Sequence, residues 1–197
     1  FWGEGIREDK QEAVKWYRLA AEQKNSEARW RLGDCYFWGE GIREDKREAV
    51  KWYRLAAEQK NSEARWRLGS CYYFGTGIRE DKREAVKWYR LAAEQKNSEA
   101  RWRLGSCYYF GTGIREDKQE AVKWYRLAAE QGNAEAQWRL GDCYFWGEGI
   151  REDKQEAVKW YRLAAEQGNA KALKELGDCY FWGEGIREDK QEAVKWY

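Results

Sequence analysis

In 197 residues, 37 Lys and Arg stand against 35 Asp and Glu for a net charge of +2, with no His, Pro or Met. The two signs are interleaved rather than blocked, which excludes a polyanion-binding tail; no apolar run approaches the ~18 residues of a membrane span, and no signal-peptide pattern is present. Hydrophobic residues at 43%, with 14 Trp and 13 Tyr, suffice for a long core despite a mean hydropathy of −1.06. The chain reads as soluble.

Shifting the sequence by 36 residues superimposes it on itself without insertion: Gly3, Gly39, Gly75, Gly111, Gly147 and Gly183 share one phase. A period of this size marks a stacked-repeat architecture. One array over 1–197 results, with a partial unit at 1–24, full units at 25–60, 61–96, 97–132 and 133–168, and a partial unit at 169–197. The start at Phe1 and the stop at Tyr197 both fall inside a unit, and no Met opens the chain. The expectation is a piece of a longer array, or a processed or designed chain; near-identical copies suit recent duplication and consensus design alike.

In chain order, Phe1-Trp2-Gly3 is the tail of a helix A, a leading helix B follows, and five A and B pairs come after it, the last B truncated. Eleven helices and no strand are predicted. In the copy at 61–96, Asn61 or Ser62 caps a helix A carrying Ala64, Leu68, Cys71 and Tyr72 on one face. Gly75 ends it. Asp81 and Glu84 then form a capping box for a helix B with Ala85, Trp88, Tyr89 and Ala92 on its main apolar face. Helix B ends near Gln95-Lys96-Asn97, and at Gln131-Gly132-Asn133 in the next copy. Val86 and Ala93 lie off the main face, so neighbouring copies have to stack to cover them.

The string Ala134-Glu135-Ala136-Gln137-Trp138-Arg139-Leu140-Gly141, then Tyr144, Gly147 to Ile150, Asp153, Ala157, Trp160-Tyr161 and Ala164 to Gly168, resembles the Sel-one-like repeat (SLR) pattern and recurs in each copy. The resemblance implies an all-α, right-handed, tetratricopeptide-like α-solenoid that works as an adaptor or scaffold. Trp30, Trp66, Trp102 and Trp138 depart from the pattern, where a smaller aromatic is usual, as do Arg43-Glu44 in place of Pro and Lys60 and Lys96 in place of Gly. Some relatives bridge two cysteines per repeat; this chain lacks the second.

Glu63, Trp66, Ser70, Tyr73 and Phe74 fall opposite the packing stripe of helix A. By the resemblance, that second face lines a concave groove. It also varies between copies: Asp34, Phe37, Trp38 and Glu40 become Ser70, Tyr73, Phe74 and Thr76, then Ser106, Tyr109, Phe110 and Thr112. The first set returns as Asp142, Phe145, Trp146 and Glu148, and as Asp178, Phe181, Trp182 and Glu184. A peptide groove with acidic edges and a hydroxyl-bearing middle is one reading, with aromatic anchors for buried area. Packing of these rings between repeats is the other. The expected contact surface comprises Asp34, Phe37, Trp38, Trp66, Ser70, Tyr73, Phe74, Trp102, Ser106, Tyr109, Phe110, Asp142, Phe145 and Trp146.

Catalysis finds little support. Cys35, Cys71, Cys107, Cys143 and Cys179 occur once per copy on the apolar stripe, and stacked helices ~8–10 Å apart are too distant for disulfides, which need Cα atoms within ~7 Å. Free, buried thiols are expected, which favours a reducing compartment such as the cytoplasm. No CxxC or His suggests zinc, and no cofactor or metal is expected. Gly39-Glu40-Gly41 joins two helices, whereas a dinucleotide fingerprint follows a strand; Asp45 and Glu48 recur as caps. Two further readings stay open. One is single-stranded RNA binding of pentatricopeptide type, disfavoured by the near-neutral charge and by Glu27 and Asp34. The other is end-to-end self-association through uncapped terminal units.

Overall fold

The computed structural model describes residues 9–197, so the expected helix A tail at Phe1-Trp2-Gly3 lies outside the described residues. Among the described residues there are eleven helices and no strand. They are α1 (Lys10–Glu22), α2 (Ser26–Trp38), α3 (Lys46–Glu58), α4 (Ser62–Phe74), α5 (Lys82–Glu94), α6 (Ser98–Phe110), α7 (Lys118–Ala129), α8 (Ala134–Trp146), α9 (Lys154–Glu166), α10 (Ala170–Trp182) and α11 (Lys190–Trp196). Even-numbered helices are A and odd-numbered ones B. The chain divides into two compact units, Phe1–Gln95 and Lys96–Tyr197. Within each, a helix packs on the helices before and after it.

The caps are the ones the sequence implies, with one change. Asn61 Oδ1 accepts from the Ala64 N–H at 2.9 Å. Gly75 turns left-handed at φ 68°, and its N–H and that of Thr76 both return to the Cys71 carbonyl. Asp81 Oδ1 accepts from the Glu84 N–H at 2.9 Å. The reciprocal half of the expected capping box is not what forms. The Asp81 N–H donates to the Tyr72 carbonyl at 2.9 Å, and Glu84 accepts from Lys87 one turn on, at 2.7 Å. The preceding helix A has already satisfied the donor that a box would use.

Two close approaches set the spacing of the helices. Within a repeat, α4 meets α5 where Gly69 faces the fully buried Tyr89 ring; a Cβ there would lie 2.7 Å from it. Gly33 with Tyr53, and Gly141 with Tyr161, repeat the contact at 2.6 Å. Between repeats, the second glycine of the turn lies on the start of the preceding helix B. A Cβ on Gly77 would lie 2.2 Å from the Lys46 carbonyl oxygen, and one on Gly149 2.2 Å from that of Lys118. Neither glycine is replaceable without moving backbone.

Cores run across repeat boundaries. In the first unit, Trp30 of α2, Ala49, Val50 and Tyr53 of α3, and Ala64, Leu68 and Cys71 of α4 form one buried cluster. In the second, Phe145 of α8, Tyr161 of α9 and Leu176 and Cys179 of α10 belong to another. Each large side chain buried this way stabilises the fold by roughly 1.5–3 kcal/mol. On the opposite edge, Gln59, Gln95 and Gln131 donate to the loop carbonyls of Lys24, Lys60 and Lys96, 35 residues earlier, at 2.8–3.0 Å. Those three lysines hold φ of 65–66° where later copies place Gly132 and Gly168 at 85° and 80°. A left-handed non-glycine residue costs roughly 1–2 kcal/mol.

None of the five cysteines is in a disulfide, and Cys71, Cys107, Cys143 and Cys179 are buried as expected. Cys35, on α2, is only half-buried. Burial pushes the Cys71, Cys143 and Cys179 thiols up to about 12. None of the described helices is long and apolar enough to cross a membrane.

Candidate interaction surface

Each helix A ends in two adjacent rings with different fates. The first turns inward: Phe37 lies 6.2 Å from Tyr53, and Tyr73, Tyr109 and Phe145 lie 6.3 Å from Tyr89, Tyr125 and Tyr161. The second stands on it edge-to-face at 4.7–4.9 Å. That second ring faces solvent. Trp38 and Phe74 in the first unit, and Phe110, Trp146 and Trp182 in the second, are 56–67% exposed. Trp182 was not among the expected contact residues, although its 36-residue spacing from Trp146 marks it.

Other expected contact residues lie deeper. Phe145 is 8% exposed and belongs to the core, because α9 and α10 close over it. Trp66 and Trp102 are half-buried. The Trp66 indole N–H donates to Glu63 at 3.0 Å, and Trp102 packs against the cluster containing Leu140 of the next repeat. Arg67 and Arg103 lie over these two rings at 4.7 and 4.0 Å.

The Asp-or-Ser position is the partner of the buried helix B tyrosine. The Tyr53 hydroxyl donates to Asp34 at 2.5 Å, and Tyr161 to Asp142 at 2.8 Å. Ser70 and Tyr89 share a hydrogen bond of 3.1 Å, and Tyr125 donates to Ser106 at 3.2 Å. Burial and the adjacent carboxylate drive the Tyr53 and Tyr161 hydroxyls far above their usual range. Their protons stay on.

Charge at this level differs between the units. Asp34 is held by Arg67 of the following repeat, with Nε at 3.2 Å and Nη2 at 3.3 Å. At the corresponding place beyond Asp142 stands Glu175. Asp142 is left with Arg139 of its own helix at 3.8 Å. Its carboxyl is pushed up to about 6, by burial first and against the pull of Tyr161 and Arg139, with Glu175 adding to the rise.

The turn acids are also engaged. Glu148 accepts from Lys118 at 2.8 Å and from the Tyr109 hydroxyl, and Glu184 from Lys154 at 2.8 Å. Where Thr76 replaces the acid, Lys46 donates to the Phe37 carbonyl and pairs with Glu44 at 3.3 Å. The acidic edges expected of the groove are therefore in large part compensated inside the fold. What stays open to solvent is the series of rings.

A helix, a glycine turn and a second helix, repeated with the core shared between neighbours, define a helical-hairpin solenoid. The chain belongs to the Sel1 repeat family, whose pattern matches residues 1–25, 26–61, 62–97, 98–133, 134–169 and 170–197. It is similar to the crystal structure of a protective antigen present in uropathogenic Escherichia coli strains displaying an SLR fold. The two are 39% identical with a TM-score of 0.89, over 93% of this chain and 39% of that one. It is also similar to a Sel1 repeat protein from Oxalobacter formigenes, at 38% identity and a TM-score of 0.89 over 98% of this chain and 77% of that one. Cysteine rich protein B from Helicobacter pylori shares the fold at 22% identity and a TM-score of 0.52, over 68% of this chain and 96% of that one. The chain thus spans well under half the length of the E. coli structure. No curated protein matches it. Sel1 repeat proteins are generally protein-interaction scaffolds, typically non-enzymatic.

Proposed function

We propose that this chain is a non-enzymatic scaffold that binds a protein or peptide through the exposed rings closing each helix A. The observation that carries this reading is the pairing at each helix end, where one aromatic ring is used for packing and the next is left more than half exposed. A ring held edge-to-face against a fixed neighbour is already ordered, so covering it costs little side-chain entropy. Each one buried by a partner contributes roughly 1.5–3 kcal/mol.

Binding to an immobilised random peptide library tests the reading. Phe110→Ala with Trp146→Ala should weaken capture at least about tenfold, while far-UV circular dichroism is unchanged because both rings lie outside the core. Capture that survives the double substitution, or a double variant that unfolds, removes these rings as the contact surface.

A further inference from the structure

Every helix B opens on a lysine, and the partner of that lysine differs between copies. In the second unit the turn of the next repeat supplies an acid: Lys118 bonds Glu148 and Lys154 bonds Glu184, each at 2.8 Å. At the start of the first unit Lys10 reaches Glu40 at 3.5 Å. The other three rest on the glutamate two residues before them, Lys46 on Glu44 and Lys82 on Glu80 at 3.3 Å, and Lys190 on Glu188 at 3.4 Å. Lys46 does so with Thr76 in the turn of the next repeat. A carboxylate brought in from elsewhere in the chain therefore takes the lysine in preference to its local glutamate.

Tyrosine adds a second donor in two copies. The inner ring that closes helix A is Phe37, Phe145 or Phe181 in three copies, but Tyr73 and Tyr109 in the other two. The Tyr109 hydroxyl donates to Glu148, so both oxygens of that acid are held, one by Tyr109 and one by Lys118. Tyr73 and Lys82 form the same pair in the first unit. Lys82 Nζ lies over the Tyr73 ring at 4.0 Å and donates to its carbonyl, as Lys118 lies over Tyr109 at 5.1 Å. The residue 36 positions before Glu148 is Thr112, and the Tyr73 hydroxyl has no hydrogen-bond partner among the described residues. Beside it, at 4.9 Å, stands the exposed Phe74 ring.

We propose that Tyr73 and Lys82 receive an acidic side chain of a bound peptide, one oxygen on the hydroxyl and the other on the ammonium, as Tyr109 and Lys118 receive Glu148. This rests on the ring surface being the peptide-binding face, with Phe74 covering an apolar neighbour of the acid. An ammonium and a phenol on one carboxylate make short, charge-assisted hydrogen bonds. Packing of the Tyr73 ring 6.3 Å from Tyr89 fixes the hydroxyl before a ligand arrives. The contact that Lys82 gives up is with an exposed glutamate and is worth little.

Fluorescence polarisation on the full chain tests it, using labelled nonamer pools with apolar flanks and a central residue fixed as glutamate or glutamine. Glutamine keeps the shape of glutamate and removes the charge. The glutamate pool should bind about tenfold tighter, the margin expected of a charge-assisted contact. Lys82→Gln should abolish that preference. Tyr73→Phe should reduce it about threefold, an effect that a nearby positive charge alone does not produce. Phe37 and Phe145 already stand at that position, so Tyr73→Phe keeps the fold and serves alone if the lysine variant unfolds. Equal or reversed binding of the two pools, or a full preference in either folded variant, overturns the acid site; the ring surface then stands or falls on whether binding is lost in Phe110→Ala with Trp146→Ala. A folded chain that binds neither pool overturns both.

Discussion

In the first unit, Asp34 meets Arg67 across the α2–α4 joint at 3.2 Å; in the second, Glu175 stands at the position of that arginine and the charged partner of Asp142 is Arg139 of its own helix, at 3.8 Å. Around both acids the frame is the same. Tyr53 and Tyr161 donate to them, Gly33 and Gly141 admit the tyrosine rings at 2.6 Å, and left-handed glycines close the helices. One acid is therefore paired across the joint and the other only within its own helix, at longer range, with the backbone frame unchanged. Packing and charge are separable layers of the repeat, because the glycine and tyrosine contacts that fix helix spacing do not involve the position that changes sign.

The largest effect should come from breaking the frame itself. Gly77→Ala puts a Cβ 2.2 Å from the Lys46 carbonyl at φ 71°, and should cost about 3 kcal/mol or more in urea unfolding. A loss under about 1 kcal/mol would mean the turn can shift and the frame is soft. Next, Arg67→Glu converts the first joint into the second. Removing one partner of a half-buried pair and adding a like charge should cost about 2–3 kcal/mol, whereas Glu175→Arg should gain about 1 kcal/mol. Equal effects of both would erase the distinction between the joints.

A pH series isolates Asp142. Its carboxyl sits at about 6 in the fold against about 3.9 in an unfolded chain. The raised value means that the folded chain holds the proton more tightly, so this group's contribution to stability is full below about pH 3.9 and lost as pH rises through 6. Asp142→Asn should therefore gain about 1–2 kcal/mol at pH 7.5, after allowance for solvent screening, and close to nothing at pH 3.5. A constant difference across that range would assign the effect to packing. The smallest change concerns the return loop. Lys60→Gly should gain about 1 kcal/mol, since its φ of 66° matches the left-handed glycines at Gly132 and Gly168. A loss would show that the lysine Cβ contributes contacts there.

Period, helix order and caps were legible because they depend on residues a few positions apart: Asn61 with Ala64, Gly75 after Phe74, Asp81 with Glu84. What was not legible depends on contacts across longer separations. Nothing local says that Gly77 lies on Lys46, or that Asp34 serves Tyr53 nineteen residues on. The aromatic doublets show the limit most clearly. Sequence put Phe145 and Trp146 on one face, but adjacent helical residues diverge by ~100°, enough to bury one and leave the other in solvent. Glu84 likewise satisfied a capping-box pattern, yet the donor it would reach was already bound to Tyr72.

The cysteines give the array a use that has nothing to do with binding. Protonated at neutral pH and enclosed between helices, Cys71, Cys143 and Cys179 can react with a thiol reagent only when their own repeat opens. One such group every 36 residues makes the chain its own set of clocks. The labelling rate at each position times the local opening of that repeat, and half-buried Cys35 runs fastest.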